Sequence, residues 1–120
     1  MEYWNVSSSE YGIVITCRGH DKDGTVQRAV ATFEAEVATC EGPFTIVADL
    51  REMTGYESAS RQAWQTSFAK YRGRVRGLVL VGARSPLIRM GAAAVGAYAG
   101  IPVKFVSTWS GVARNNVAEK

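Results

Sequence analysis

The chain has 120 residues, of which 47% are hydrophobic and 21% charged, and its net charge is +3 at pH 7. This composition is typical of one folded globular domain over residues 1–120 and excludes a disordered chain. The polar start of the sequence is unlike a secretory signal, and the longest weakly polar stretch, Met90 to Val103, is too short to span a membrane, so we expect a cytoplasmic location.

The first third of the sequence predicts a β-hairpin followed by a helix. Two short runs, Trp4 to Ser8 and Gly12 to Arg18, alternate as the strands of a hairpin do. After a loop of turn-forming residues, Thr25 is expected to cap an amphipathic helix whose apolar residues recur every three or four positions. Gly42-Pro43 ends this helix.

The middle third predicts two buried strands with a helix between them. Phe44 to Leu50 is apolar on nearly both faces, which indicates a central strand. A loop over 54–57 leads to a second helix, capped by Ser58 or a neighbour, whose arginine, glutamine and lysine side chains are expected to face solvent. The next strand covers Val75 to Val81.

The last third begins with the sharpest local signal in the sequence. Ser85-Pro86 is typical of a helix cap followed by proline at the first helical position, and Gly100 marks the end of that helix. A strand over Val103 to Val106 and a short helix from Ser110 over Val112 and Val117 complete the order β-β-α-β-α-β-α-β-α. The prediction is an α/β domain with a mixed, mostly parallel sheet of four to five strands and right-handed crossovers.

The sequence carries no pattern of an enzyme active site or a metal centre. Cys17 and Cys40 are isolated in apolar runs and are expected to be buried, reduced thiols. His20 is the only histidine, and the glycine motifs of nucleophile elbows, phosphate-binding loops and dinucleotide-binding folds do not occur. We therefore expect a non-enzymatic protein with no cofactor and no metal.

Two stretches of the sequence resemble the STAS family, which contains the anti-sigma-factor antagonists, SpoIIAA-like proteins and the cytoplasmic tails of sulphate transporters. The first is the run over 47–53 that leads through 57–60 into a helix, and the second is the run over 80–90. The resemblance implies a bacterial regulatory module that acts on a protein partner, such as a kinase or an anti-sigma-like protein.

The resemblance also implies a site at the start of the second helix. The family's Asp-Ser-Ser-Gly motif matches Glu57, Ser58, Ala59 and Ser60, so alanine stands where the family has its phosphorylated serine. Alanine cannot accept phosphate. Phosphorylation would then require a loop shifted by one residue, with Ser58 or Ser60 as the acceptor.

Two candidate sites follow from the predicted topology, because the carboxyl edge of an open α/β sheet and free helix N-termini both favour ligands. The candidates for phosphorylation or partner binding are Thr54, Tyr56, Glu57, Ser58 and Ser60. The candidates for binding an anion or another small ligand are Arg51, Arg84, Ser85 and Arg89. Each serine is equally explained as a helix cap, and each arginine as a solvated side chain.

The charge distribution leaves several partners open. Eight of the 14 basic residues, against two acidic ones, lie between positions 51 and 89. The arginines at 72, 74 and 76 are not interleaved with exposed aromatic residues, so nucleic-acid binding is not favoured. A protein partner is the leading hypothesis, an anionic or apolar small ligand is the alternative, and a homodimer is compatible with either.

Overall fold

The computed structural model describes residues 3–21 and 25–112. Its elements, in chain order, are β1 (Trp4–Ser9), β2 (Gly12–His20), α1 (Val26–Thr39), β3 (Phe44–Gly55), α2 (Ser58–Lys70), β4 (Val75–Val81), α3 (Pro86–Ala99) and β5 (Val103–Val106). A short 3₁₀ turn over Arg72–Arg74 precedes β4. Residues 109–112 begin a further helix, and the predicted contribution of Val117 to it lies outside the described residues.

The five strands form one sheet in the order β1-β2-β3-β4-β5. Only β1 and β2 are antiparallel, and each later strand is parallel to the one before it. Because successive crossovers are right-handed and always step in the same direction, α1, α2 and α3 lie on one face of the sheet. The structure confirms the predicted mixed, mostly parallel α/β fold.

The alternation of side chains along the central strand divides the core in two. Ile46, Ala48 and Leu50 pack against the three helices, within a cluster whose buried strand members come from β2, β3 and β4 and against which side chains of β1 and β5 also pack. Val47 belongs to a smaller cluster on the opposite sheet face, which we call the second face. Its buried members are Val14, Val47, Val79, Val81 and Val112. The helix that begins at residue 109 covers this second face.

The central strand is longer than the sequence pattern indicates. It continues to Gly55, because β2 continues to His20 and supplies pairing partners for it, such as Gly19 opposite Met53. The predicted loop over 54–57 is therefore corrected, and Thr54 belongs to the strand. This segment lacks the run of apolar residues by which the rest of the strand was predicted, because several of its side chains are polar. A strand that extends beyond the core need not be apolar.

The helix ends show where local signals succeed and fail. Thr25 already has helical torsion angles and its side chain makes no capping hydrogen bond, while Ser58 is the first helical residue and Glu57 holds the cap position. Thr25 therefore holds the predicted cap position and Glu57 is the neighbour of Ser58 that the prediction allowed, but neither side chain makes a capping hydrogen bond. Ser85, with extended backbone, does precede Pro86 at the start of α3, and Gly100 ends that helix in the left-handed conformation at φ +73°.

Arg74 has a structural task at the end of α1. Its guanidinium donates hydrogen bonds to the carbonyl oxygens of Val37 at 3.3 Å, Cys40 at 2.8 Å and Gly42 at 3.2 Å, and it lies 5.6 Å from the ring centroid of Phe44. Val37 is in the last turn of α1 and Cys40 and Gly42 follow it, a region where helix carbonyls lack partners four residues further along the chain. Arg74 is the last residue of the 3₁₀ turn and is half-buried, whereas Arg72, at the start of the turn, and Arg76, in β4, are exposed.

We expect Arg74→Ala to destabilise the fold, whereas Arg72→Ala should have little effect. Hydrogen bonds from a charged group contribute about 1.5–3 kcal/mol, and a surface substitution away from such contacts changes stability by roughly 0.5 kcal/mol or less. Urea unfolding of both variants measures the difference. Equal free energies of unfolding for the two variants would contradict the capping role.

Candidate functional site

The loop before α2 and the start of α3 meet at the carboxyl edge of the sheet. This follows from the topology, because α2 leaves β3 and α3 leaves the neighbouring parallel strand β4. Tyr56 connects them: its hydroxyl donates a hydrogen bond to the carbonyl of Leu87 at 3.3 Å. The Tyr56 ring lies directly over Gly91, where an added Cβ would come within 2.3 Å of the phenolic oxygen. Two segments that the sequence singles out therefore form one surface.

A cavity of about 70 Å³ lies beneath this surface, between α2, α3 and the sheet. We call it the α2–α3 cavity. A single water needs roughly 10–15 Å³ of such space, so the α2–α3 cavity holds several non-hydrogen atoms. Its walls are mostly apolar: Trp4, Ile15, Ala48, Leu50, Met53, Tyr56, Trp64, Phe68, Leu78, Leu80, Ile88, Gly91, Ala92 and Val95. Ala92 leaves this space because a larger side chain there would occupy it, whereas Gly91 leaves room for the Tyr56 ring.

The polar side chains of the α2–α3 cavity come from α2, and they are Ser60, Arg61 and Trp64. Trp64 is only 5% exposed, and its Nε1 is one of two buried side-chain polar atoms without a hydrogen-bond partner in the described part of the chain. The other is Oδ2 of Asp21, which is fully buried. The neighbouring indole of Trp4, whose ring centroid is 5.4 Å from that of Trp64, is satisfied by Oδ1 of Asp21 at 2.8 Å.

The candidates at the start of α2 point in different directions. Thr54, Glu57 and Ser58 are exposed, and Ser58 therefore presents its hydroxyl at the surface. Ser60 is 4% exposed and lines the α2–α3 cavity. Tyr56 is half-buried between the two. Of the two serines that the sequence offers for phosphorylation, only Ser58 is accessible in this conformation.

The candidate arginines lie outside the α2–α3 cavity. Arg51 binds Asp49 on the second face, and Arg89 lies 4.2 Å above the ring centroid of Phe105 while donating to the carbonyl of Ala83. Arg84 is exposed beside Ser85. None of the three lines the α2–α3 cavity. The anion site predicted from Arg51, Arg84, Ser85 and Arg89 is therefore distinct from the α2–α3 cavity, and it stays a prediction.

Arg61 is the functional candidate that the sequence pattern missed. It was expected on the solvent face of α2, yet it is half-buried at the α2–α3 cavity. Residues three apart on a helix share a face. The spacing of Arg61 and Trp64 therefore indicated that Arg61 lies on the same face of α2 as Trp64. The expectation that arginine faces water led to the opposite prediction.

The remaining sequence candidates have ordinary roles. Cys17 is fully buried, and burial together with the nearby charge of Asp21 raises the pKa of its thiol to about 12, so it is a poor nucleophile at neutral pH. Cys40 is half-buried rather than buried as predicted. Within residues 3–21 and 25–112, no group of three His, Cys, Asp or Glu side chains comes together.

Asp49 is the electrostatic centre of the second face. Its carboxylate accepts hydrogen bonds from Nε of Arg51 at 2.9 Å, from Nη2 of Arg51 at 2.8 Å and from the indole of Trp109 at 3.2 Å. Burial by itself would raise the pKa of Asp49, but the hydrogen bonds from Arg51 and Trp109 outweigh it and hold the pKa below its usual value of 3.8. Asp49 thus fastens the helix that begins at residue 109 to the sheet.

We expect the stabilisation by Asp49 to be present at neutral pH and lost in acid. A carboxyl whose pKa is lower in the folded state is protonated first in the unfolded state, so stability falls as pH drops below about 4. The free energy of unfolding of wild type should exceed that of Asp49→Asn at pH 7, and the difference should shrink as pH falls through about 4. A difference independent of pH would show that the carboxylate charge is not what matters.

The outer side of α3 is unusually apolar. Leu87, Met90 and Tyr98 are 63%, 71% and 64% exposed, and they recur at helical spacing along one stripe. We call these three residues the α3 stripe. No helix in the described ranges is both long and apolar enough to cross a membrane. The α3 stripe lies on the same helix that supplies Ile88, Gly91, Ala92 and Val95 to the wall of the α2–α3 cavity.

Comparison with solved structures identifies the fold. The crystal structure of an uncharacterized protein of the DUF3478 family from Shewanella loihica PV-4, which has a SpoIIAA-like fold, matches this chain with a TM-score of 0.64. The chain has a SpoIIAA-like fold. The two sequences are 12% identical, and the match covers 86% of this chain and 83% of the Shewanella protein. Comparison of the sequence with protein-family models and with curated proteins finds no match.

The SpoIIAA-like fold agrees with the STAS resemblance of the sequence. A fold hosts many functions, so the function has to be argued from the surface and the cavity of this chain. In this SpoIIAA-like domain, both lie at the carboxyl edge of the sheet, where α/β proteins most often bind ligands.

Proposed function

We propose that this chain is a non-enzymatic binding module whose ligand is a small apolar molecule held in the α2–α3 cavity. The observation that supports this most directly is an open, apolar cavity in the main core of a domain of only 120 residues. Protein interiors are packed at crystal density, and an unfilled cavity costs stability. Retaining such a cavity is explained by a ligand that fills it.

The composition of the cavity walls favours an elongated apolar ligand. Aromatic side chains from β1 and α2 form one wall and aliphatic side chains from the sheet another, as in many small-molecule sites. Tyr56 and Met53 are half-buried at its rim, so the ligand would leave the cavity past these two side chains.

Binding of 1-octanol tests the proposal with a neutral, chain-like probe. In ¹H–¹⁵N spectra, the indole N–H signals of Trp4 and Trp64 should shift saturably, whereas the signal of Trp109, on the second face, should stay in place. The three signals are assigned with single Trp→Phe variants. No saturable shift up to the solubility limit of 1-octanol, or equal shifts of all three signals, would refute binding in the cavity.

A second function, recognition of a protein partner, is favoured by the α3 stripe. Three large apolar side chains exposed by more than half are unusual on a small domain and mark interaction surfaces. Arg84, at the start of the same helix, has no ion-pair partner among the described residues, which suits a partner with acidic groups around an apolar patch. The STAS resemblance implies that such a partner would be a kinase or an anti-sigma-like protein in bacterial regulation.

Charge reversal on the α3 stripe tests this second function. A specific partner recovered with wild type should be lost with Met90→Glu and kept with Ala31→Glu, which places the same charge at an exposed position of another helix, α1. Sedimentation of the purified protein distinguishes a homodimer from a foreign partner. Recovery of the partner by both variants would exclude the α3 stripe as its surface. The cytoplasmic location and the absence of catalytic activity stay predictions.

A further inference from the structure

One side chain that lines the α2–α3 cavity carries a donor that nothing in the described chain satisfies. Trp64 Nε1 is buried, lies in the side chain that forms a wall of the cavity, and has no hydrogen-bond partner. A buried donor without an acceptor is rare in native proteins, because it loses its hydrogen bond to water and gains nothing in return. The neighbouring indole of Trp4 is paired with Asp21, so of the two tryptophans that line the cavity only Trp64 has an unpaired N–H.

A positive charge accompanies this donor. Arg61 lies on α2 three residues before Trp64, lines the same cavity, and forms no ion pair with any described residue. Ser60, on the preceding position, is also part of the wall. The only acidic residue near the start of α2 is Glu57, which is exposed and does not line the cavity. The residues that line the cavity thus offer donors and one positive charge and include no acidic side chain, and Asp21, which binds the indole of Trp4, lies behind that wall residue.

Resting on the proposed function, we propose that the ligand of the α2–α3 cavity is an apolar monocarboxylate. One carboxylate oxygen accepts the indole N–H of Trp64, the charge is neutralised by Arg61, and the apolar body occupies the space against the sheet. A carboxylate combines the two properties that the wall requires, a strong acceptor and a negative charge. An amine would bring a second positive charge and no acceptor for Trp64.

Three probes with the same chain separate this inference from the proposed function: octanoate, 1-octanol and octylammonium. We expect octanoate to bind roughly tenfold or more tightly than 1-octanol, and octylammonium to bind more weakly than either. The indole proton of Trp64 should move downfield with octanoate, as it does when it enters a strong hydrogen bond. Calorimetry and the ¹H–¹⁵N spectra give the two readouts.

Two variants identify the groups that recognise the carboxylate. Arg61→Gln should weaken octanoate roughly tenfold and leave 1-octanol nearly unchanged, because only the charge is removed. Trp64→Phe should abolish most of the preference for octanoate over 1-octanol, and Trp109→Phe, on the second face, should preserve it. Circular dichroism and urea unfolding show that each variant is folded.

The outcomes distinguish the inference of a carboxylate from the proposed binding of an apolar ligand. Equal affinity for octanoate and 1-octanol in wild type, or a preference for octanoate that survives in both Arg61→Gln and Trp64→Phe, would overturn the carboxylate while leaving the apolar cavity intact. Failure of all three probes to bind would overturn the proposed function and the inference with it.

Discussion

Ala92→Leu should reduce the affinity for 1-octanol by more than tenfold while the protein remains folded. Ala92 is half-buried on α3 and lines the α2–α3 cavity, and leucine adds three carbon atoms at the position where small residues leave the space. A cavity of about 70 Å³ cannot hold both those atoms and an alkyl chain. The substitution replaces the ligand with a side chain of the protein itself.

The free energy of unfolding is a second readout for Ala92→Leu, and it should not fall when the affinity for 1-octanol falls. Filling an apolar cavity commonly raises the free energy of unfolding by about 0.5–2 kcal/mol, so Ala92→Leu should be as stable as wild type or more so. Loss of binding would then not reflect loss of structure.

The matched control for Ala92→Leu is Ala97→Leu, the same change at an exposed position of the same helix. It should bind 1-octanol as wild type does. Wild-type affinity in a folded Ala92→Leu variant would show that the probe binds elsewhere. In that case the α3 stripe becomes the site to examine.

Phe33→Ala should have the largest effect on stability, a loss of about 3–5 kcal/mol. Phe33 is fully buried on α1, and its ring lies 5.3 Å from that of Phe68, 5.9 Å from Trp64, 6.2 Å from Tyr71 and 6.4 Å from Phe44, measured between centroids. One side chain therefore joins α1, α2 and the central strand. Since small domains are stable by only about 5–15 kcal/mol, this loss is a large fraction of the total.

The same substitution at Phe105 is the control. Phe105 lies on the edge strand, is 38% exposed, and contacts the guanidinium of Arg89 across 4.2 Å. Its removal should cost about 1 kcal/mol or less. Urea unfolding of both variants gives the comparison, and similar losses at the two positions would contradict the view that the aromatic cluster around Phe33 is the centre of the fold.

Phe33 also bears on the cavity, because its ring meets that of Trp64 nearly edge-on, at 79°. Where Phe33→Ala remains folded at low temperature, we expect the indole signal of Trp64 to broaden and the affinity for 1-octanol to fall. The two effects have one cause, since the same cluster supports the fold and fixes the wall of the α2–α3 cavity.

The sequence by itself determined the order of the elements. Strand β4 was predicted at its observed bounds, Val75–Val81, and the start and end of α3 followed from Pro86 and Gly100. These signals are local: a buried run, a fixed proline torsion and a left-handed glycine act within a few residues. The mostly parallel sheet followed from the alternation of strands and helices.

Tertiary structure decided what the sequence could not. The extension of β3 to Gly55 depends on its pairing with β2, and the turn of Ser60 into the core depends on how α2 lies over the sheet. Both features depend on contacts between segments that are distant in the sequence, and no local sequence pattern records such contacts.

The candidate site shows the same division between features that the sequence predicted and features that only the tertiary structure determined. The sequence placed a candidate loop at the start of α2 and a second candidate at the start of α3, and the structure joins them through Tyr56. The α2–α3 cavity, the unpartnered indole of Trp64 and the inward position of Arg61 arose only on packing. A cavity is the space that several side chains leave between them, so its shape and its polar end are fixed only when the helices and the sheet have come together.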